Sequence, residues 1–369
     1  MKKLISIFAA LCCFMCVVPA RTTSARAESA KAACVIEMQT GEIVHERNCV
    51  ERLPMASTTK IMTCITALES CDVSEVVTVS WEAAATEGSA AYIEPGDEIT
   101  VLDLLYGLML NSGNDAAVAI AEHISGSVDE FVGLMNAKAE EIGAGNTHFT
   151  NPNGLPDDAH YTTAYDLAMI TRYAMQNETF RGIVSTTDFT ARIINTDGTL
   201  SFHNHNKLLG AYDGCIGVKT GFTKDAGRCL VSAAERDGLS FVAVTLNDGD
   251  DWNDHREMLD YAFSSYSTHQ VARMGESAPY TGYNLIYGDD LSVPVRNGSK
   301  LNIDVKLNVP KKLSLPVSAG EKIGTAVFMR DDVILGTVDV CSAVDLYEEP
   351  HFGEKFKTRF IHLIKRILL

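Results

Sequence analysis

Short hydrophobic runs and helix-length amphipathic stretches alternate along the chain as far as Phe263. Residues 33–38 and 42–46 have the spacing of strands, and Thr40-Gly41 between them is typical of a hairpin turn. Helical spacing is found at residues 57–68, 101–125, 129–142, 163–175 and 252–263, and strand patterns return at 215–220, 228–234 and 240–246. Strands at both ends with helices between them predict an α/β (α+β) domain, a sheet with an inserted helical subdomain.

The pattern changes beyond about residue 268. Short β-type runs at 292–295, 303–307, 325–329 and 333–338 are separated by Gly, Pro, Asn and Asp, and no helix of any length fits there. We therefore predict a domain at 28–267 followed by a small all-β domain, a β-sandwich, at 268–348.

The two ends of the chain have their own patterns. Lys2 and Lys3 precede an apolar run, and Ala25-Arg26-Ala27 has the form of a cleavage site, so residues 1–27 are predicted to be a signal peptide rather than a membrane anchor. Residues 349–369 have apolar residues at helical spacing interleaved with Lys and Arg. This pattern predicts an amphipathic helix on the outer face of the cytoplasmic membrane; the alternative is a helix packed on the protein's own surface. The protein is thus expected to be exported and peripherally attached to the membrane.

Net charge, cysteine count and histidine spacing bear on nucleic-acid binding, disulfide pairing and metal binding, respectively. The 48 Asp and Glu outnumber the 31 Lys and Arg, which gives a net charge of −17 and argues against a nucleic-acid partner. Seven cysteines remain after the signal peptide, an odd number that cannot all pair within one chain. His203 and His205 alternate on a presumed strand, but no third ligand is evident, so neither a metal nor a cofactor is expected.

Three short motifs carry candidate chemistry. In the first, Ser57 and Lys60 are three residues apart, so on a helix they share a face and the lysine can reach the serine hydroxyl. A lysine acts as a base only when its amine is neutral, which burial and a second cation such as Lys219 both promote. A single Ser-x-x-Lys match is weak, and the prediction depends on its occurring together with the other two motifs.

The other two motifs supply polar groups and a strand edge. Ser112 and Asn114 follow a helical run at the turn around Gly113, where a hydroxyl can relay a proton and an amide can bind a peptide. Lys219, Thr220 and Gly221 are on a presumed strand, where a cation favours a terminal carboxylate and a glycine permits close approach of an extended substrate.

Together these motifs resemble those of the penicillin-recognising serine enzymes. The context is closest to the low-molecular-mass penicillin-binding proteins that are D-alanyl-D-alanine carboxypeptidases. The matching stretches are 54–63 (PMASTTKIMT), 110–117 (LNSGNDAA), 151–156 (NPNGLP), 160–168 (HYTTAYDLA), 204–209 (NHNKLL) and 217–223 (GVKTGFT). The resemblance is dense from about residue 32 to 263; the β domain and tail match the layout of the family more than its residues.

The resemblance implies a catalytic domain of the penicillin-binding-protein and β-lactamase type that trims peptidoglycan stem peptides and binds β-lactams. It implies that Ser57 is acylated, with Lys60 as base and Ser112 as relay. By the same resemblance the amides of Ser57 and Phe222 form the oxyanion hole. The substrate carboxylate is held by Lys219 and Thr220, with Arg256 nearby. Phe222 stands where many relatives have His.

Two other functions remain open. A serine β-lactamase shares the three motifs but needs a dedicated deacylating base, and no convincing Glu-bearing loop is evident. A catalytically idle wall-binding protein is the second alternative, and the intact motifs argue against it.

Overall fold

The computed structural model describes residues 29–347. The predicted signal peptide at 1–27 and the predicted amphipathic helix at 349–369 lie outside the described residues. Among the helices of residues 29–347, none is both long enough and apolar enough to span a bilayer.

Strands and helices alternate through the first part of the chain, and the rest is β. In chain order the first part contains β1 (Ala32–Glu37), β2 (Ile43–Arg47), α1 (Lys60–Ser70), β3 (Val76–Thr78), α2 (Trp81–Ala84), β4 (Glu98–Thr100), α3 (Val101–Leu110), α4 (Asn114–Ser125), α5 (Val128–Ile142), α6 (Ala164–Ala174), α7 (Glu178–Ser185), β5 (Asp188–Arg192), β6 (Thr199–His203), β7 (Cys215–Thr223), β8 (Gly227–Arg236), β9 (Leu239–Leu246) and α8 (Asp251–Ser265). The second part contains β10 (Tyr266–Ala272), β11 (Leu285–Tyr287), β12 (Leu291–Arg296), β13 (Asp304–Asn308), β14 (Lys322–Arg330) and β15 (Val333–Ser342).

A five-stranded antiparallel sheet forms the centre of the first part, in the order β2-β1-β9-β8-β7. Successive residues of β1 enter two different cores: Cys34 and Ile36 pack with the helical layer, whereas Ala33 and Val35 pack on the side of α8. A strand covered on both faces has little polar alternation, which explains its continuous apolar run. Because β7 is an edge strand, one side of its backbone is free of sheet pairing.

The structure confirms the predicted α+β architecture with helices between the strands. The main errors of the prediction lie at two points where a predicted helix is interrupted or begins differently. The helical pattern of 101–125 is two helices, α3 and α4, separated by residues 111–113, where Ser112 has a φ of 62°. The predicted helix at 57–68 begins instead with a 3₁₀ turn, Ala56–Thr59, before α1. Both breaks lie within the first two motifs.

The C-terminal part is the predicted small β domain. Four strands form one sheet in the order β11-β15-β14-β13, and β10 pairs with β12. Its core contains Phe328, Val338 and Val340, contributed by the two longest strands of this part. The four predicted runs correspond to β12, β13, β14 and β15, while β10 and β11 were not predicted.

Candidate active site

Two threonine hydroxyl groups and a glycine packed against the backbone stabilise the turn that contains Ser57. The Thr58 hydroxyl donates to the Met55 carbonyl at 2.6 Å, and the Thr59 hydroxyl donates to the Ala56 carbonyl at 2.8 Å. Gly154, with a φ of 90°, packs so closely that a Cβ there would lie 2.0 Å from the Ala56 oxygen. Only glycine fits this approach, and the turn leaves Ser57 half-buried above a fully buried base.

Lys60 is completely buried, and its amine has three oxygen neighbours. The Nζ atom lies 3.0 Å from Ser57 Oγ, 2.7 Å from Asn114 Oδ1 and 2.6 Å from the backbone oxygen of Asn153. Burial, together with the positive charge of Lys219, lowers the pKa of Lys60 well below its ordinary value, and Asp115 opposes this shift. The arrangement favours a neutral amine within reach of a serine hydroxyl.

Lys219 is the second buried lysine of the site. It lies on β7, is 1% exposed, and donates from Nζ to the backbone oxygen of Thr220 at 2.9 Å. Burial lowers the pKa of Lys219 to about 7. Gly221, two residues further on, brings this strand against the serine turn, since a Cβ there would lie 3.1 Å from the Ser57 nitrogen.

The second motif joins the helical layer to the site. The Asp115 carboxylate accepts from the backbone amides of Ala91 at 2.8 Å and Tyr92 at 2.9 Å, which ties the preceding loop to the start of α4. Asn114 accepts from Lys60 and donates from Nδ2 to the Glu87 carbonyl at 2.7 Å. Asn114 is therefore a buried support for the lysine.

A cleft of about 410 Å³ opens above these groups. Five of the catalytic and binding residues proposed from the sequence line it, together with five residues that were not proposed as part of this site. The first set is Ser57, Ser112, Thr220, Gly221 and Phe222; the second is Ser89, His205, Lys207, Arg228 and Trp252. Lys60, Asn114 and Lys219 are buried, and Arg256 is exposed on α8 and does not line the cleft.

The residues that sequence reasoning missed come from four separate segments. His205 and Lys207 lie in the stretch 204–209, where the sequence suggests His205 only as half of a metal pair with no third ligand and suggests no role for Lys207. Ser89 comes from the loop before β4, while Arg228 and Trp252 come from β8 and α8. The cleft forms only when these segments fold together, so spacing along the chain carries no signal for them.

The fold and the site together define a class of enzyme. A half-buried serine paired with a buried lysine, beside the edge strand of an antiparallel sheet flanked by helices, is the arrangement of a serine hydrolase that uses lysine as its base.

Comparison with known proteins places the chain within that class. Residues 19–250 match the family described as D-alanyl-D-alanine carboxypeptidase, and residues 282–348 match the C-terminal domain of penicillin-binding protein 5. The chain is 35% identical to D-alanyl-D-alanine carboxypeptidase DacF of Bacillus subtilis over 366 residues, 94% of this chain and 91% of that one. It is 29% identical to DacC of Escherichia coli, over 86% of this chain and 82% of that one.

Two solved structures have the same fold. The D-alanyl-D-alanine carboxypeptidase DacD of Francisella tularensis matches with a TM-score of 0.65 at 26% identity, over 89% of this chain and 96% of that one. Penicillin-binding protein 5 of Haemophilus influenzae matches with a TM-score of 0.63 at 26% identity, over 87% and 98%. The chain belongs to the D-alanyl-D-alanine carboxypeptidase family.

Proposed function

We propose that this protein removes the terminal D-alanine from peptidoglycan stem peptides through an acyl-enzyme on Ser57, and that β-lactams acylate the same serine. The observation that carries this proposal is the 3.0 Å contact between Lys60 Nζ and Ser57 Oγ, with the amine buried and its pKa lowered. Family membership supplies the substrate class.

The lowered pKa of Lys60 favours a neutral amine, and the three oxygen neighbours can accommodate one. A neutral amine has two N–H donors and one lone pair. The two donors match the carbonyl oxygens of Asn114 and Asn153, and the lone pair is then left to accept the Ser57 hydroxyl proton. Lys60 takes that proton as Ser57 Oγ attacks the carbonyl carbon of the penultimate D-alanine.

The remaining steps use the other residues of the cleft. The developing oxyanion is stabilised by the backbone amides of Ser57 and Phe222. Ser112 passes a proton to the leaving nitrogen as the peptide C–N bond breaks and D-alanine departs. Water then cleaves the ester to release the trimmed peptide. Thr220 and Lys219 hold the substrate carboxylate, and the side chain of Phe222 is free to contact the substrate because it is 66% exposed.

The substrate also sets the location. Peptidoglycan lies outside the cytoplasm. The signal pattern at 1–27 and the basic amphipathic pattern at 349–369 support an exported protein that is held on the outer face of the cytoplasmic membrane. The domain boundaries at 28–267 and 268–348 belong to the same proposal.

Release of D-alanine by the signal-free protein tests the proposed function. A synthetic pentapeptide ending in D-Ala-D-Ala should lose one D-alanine, and Ser57→Ala should abolish this release. Penicillin should leave a long-lived adduct on the wild-type protein, seen as a mass increase that Ser57→Ala lacks. No release by the wild-type protein would contradict the proposal, and rapid penicillin hydrolysis without an adduct would indicate a β-lactamase.

A further inference from the structure

A buried histidine contacts the serine turn without lining the cleft. His160 is 3% exposed and lies in the loop between α5 and α6, which also contributes Asn153 and Gly154 to the site. Its Nε2 atom lies 2.7 Å from Thr59 Oγ1, and its Nδ1 atom lies 3.0 Å from the backbone nitrogen of Thr150. The catalytic steps proposed above use none of these contacts.

The neighbours of His160 determine which ring nitrogen holds the proton. A backbone N–H can only donate, so Nδ1 accepts from Thr150 and has no proton. The Thr59 hydroxyl donates its one hydrogen to the Ala56 carbonyl at 2.8 Å, so it must accept from Nε2–H of the ring. Burial, the largest cause, lowers the pKa of His160 to about 4, so the ring is neutral at neutral pH. The hydrogen bonds therefore run in one direction, from the Thr150 amide to the Ala56 carbonyl.

The Ala56 carbonyl belongs to the same peptide unit as the Ser57 amide. A trans peptide is planar, with its C=O and N–H pointing in opposite directions, so a contact that fixes the oxygen also fixes the direction of the N–H. Ala56 has a φ of 48°, which is unfavourable for a residue with a side chain, and surrounding contacts must hold it there. The Ser57 amide is one of the two donors proposed for the oxyanion.

We propose that His160 acts through Thr59 to hold the Ala56–Ser57 peptide unit, so that the Ser57 amide points at the oxyanion that forms during acylation. This inference rests on the proposed function. His160 is a positioning residue, because it contacts the serine turn and not the substrate. The contact that matters is the donor at Nε2, since Nδ1 faces its own loop.

Three substitutions of His160 test the need for that donor. A glutamine amide can place an N–H near the position of Nε2, whereas the shorter asparagine reaches only the position of Nδ1, and leucine has no donor. Release of D-alanine from a D-Ala-D-Ala pentapeptide and the rate of acylation by penicillin are measured for each. His160→Asn and His160→Leu should lower kcat by about 10- to 100-fold and change KM little, because the oxyanion forms only in the transition state. His160→Gln should recover most of the lost rate.

A double-mutant cycle tests whether His160 acts through Thr59. Thr59→Val removes the hydroxyl and keeps the shape of the side chain, so it should lower kcat about as much as His160→Leu. The double variant should lose no more than either single variant, because both substitutions break the same chain of hydrogen bonds. Losses that multiply would contradict the inference.

A second histidine of the same loop is the control. His148 is exposed and its Nδ1 lies 2.7 Å from the Ala159 carbonyl, so His148→Gln should keep the wild-type kcat. Thermal midpoints of all variants separate misfolding from misdirection of the amide. Equal rate losses in His160→Gln and His160→Asn, or losses that follow the thermal midpoints, would overturn the inference. A wild-type protein that neither releases D-alanine nor reacts with penicillin would instead count against the proposed function.

Discussion

At the scale of single residues, the candidate site contains two buried lysines whose pKa values are lowered. Burial is the larger cause for Lys60, and the charge of Lys219 adds to it. The sequence could suggest this pairing, because both lysines lie within recognisable motifs. It could not supply the backbone oxygen of Asn153 as a neighbour of Lys60, because that contact joins two distant segments.

The coupling between the two lysines predicts a pH effect. In Lys219→Gln one positive charge is removed, so the pKa of Lys60 should rise and less of its amine should be neutral at a given pH. The acid limb of the penicillin acylation rate should therefore move to higher pH. Acylation rates followed by mass spectrometry across a pH series measure this shift. An acid limb at the wild-type position would contradict the coupling.

Asp254 predicts a second pH effect, this time on stability. Burial and the neighbouring Asp248 raise the pKa of Asp254 to about 6. The folded state then holds a proton more tightly than the unfolded state, so this group stabilises the protein at low pH and the contribution is lost as pH rises through about 6. Asp254→Asn should remove this dependence and raise stability at neutral pH by on the order of 1 kcal/mol.

Thermal unfolding of both proteins across the acid range measures that difference. The gap between Asp254→Asn and the wild type should widen from about pH 4 to 6 and stay constant above. A gap that is independent of pH would show that the substitution acts through packing alone.

At the scale of elements, the sequence predicted the long periodic segments well and the interruptions poorly. Strands β7, β8 and β9 and helices α5, α6 and α8 all appear near their predicted positions. The β5–β6 hairpin was missed because its strands are largely exposed and lack a continuous apolar run. The breaks at 56–59 and 111–113 depend on positive φ angles at Ala56 and Ser112, which tertiary contacts impose and side-chain patterns do not encode.

The serine turn depends on Gly154, which predicts a selective loss of activity. In Gly154→Ala the new Cβ would collide with the Ala56 carbonyl, so the turn must shift and acylation of Ser57 should fall by at least about 10-fold. Gly126→Ala is the matched control, since Gly126 also has a positive φ but nothing within 4 Å of its Cβ position. The control should lose about 1 kcal/mol of stability and acylate normally.

Penicillin acylation rates and thermal midpoints distinguish the two variants. Equal acylation rates in Gly154→Ala and Gly126→Ala would show that the close approach does not position the serine.

At the scale of the whole molecule, the turn between β1 and β2 connects the two domains. Glu42 lies 3.2 Å from Arg330 Nη2 and 3.6 Å from Arg296 Nη1, and Gln39 donates from its side chain to the Leu335 carbonyl. Each of these partners belongs to the β domain, whereas β1 and β2 belong to the central sheet. The two domains are therefore joined by ion pairs as well as by the chain itself.

Loss of these ion pairs should weaken the docking of the domains without affecting catalysis. Partly exposed ion pairs contribute about 0.2–1 kcal/mol each, so Glu42→Gln should lower the unfolding temperature of the β domain by a few degrees. D-Alanine release should be unchanged. Scanning calorimetry of Glu42→Gln beside Glu276→Gln, which alters an exposed carboxylate of the β domain, measures the effect. Equal shifts in both variants would argue against a role for Glu42 in docking.

The backbone oxygen beside Lys60 has a consequence for how this protein can evolve. Side-chain substitution can delete the Asn114 oxygen, but no codon change at position 153 can remove a main-chain carbonyl. Point mutation therefore cannot remove this hydrogen-bond acceptor from the environment of Lys60. Substitutions that reshape the cleft must accordingly act through its lining side chains, such as Ser89, Phe222 and Trp252.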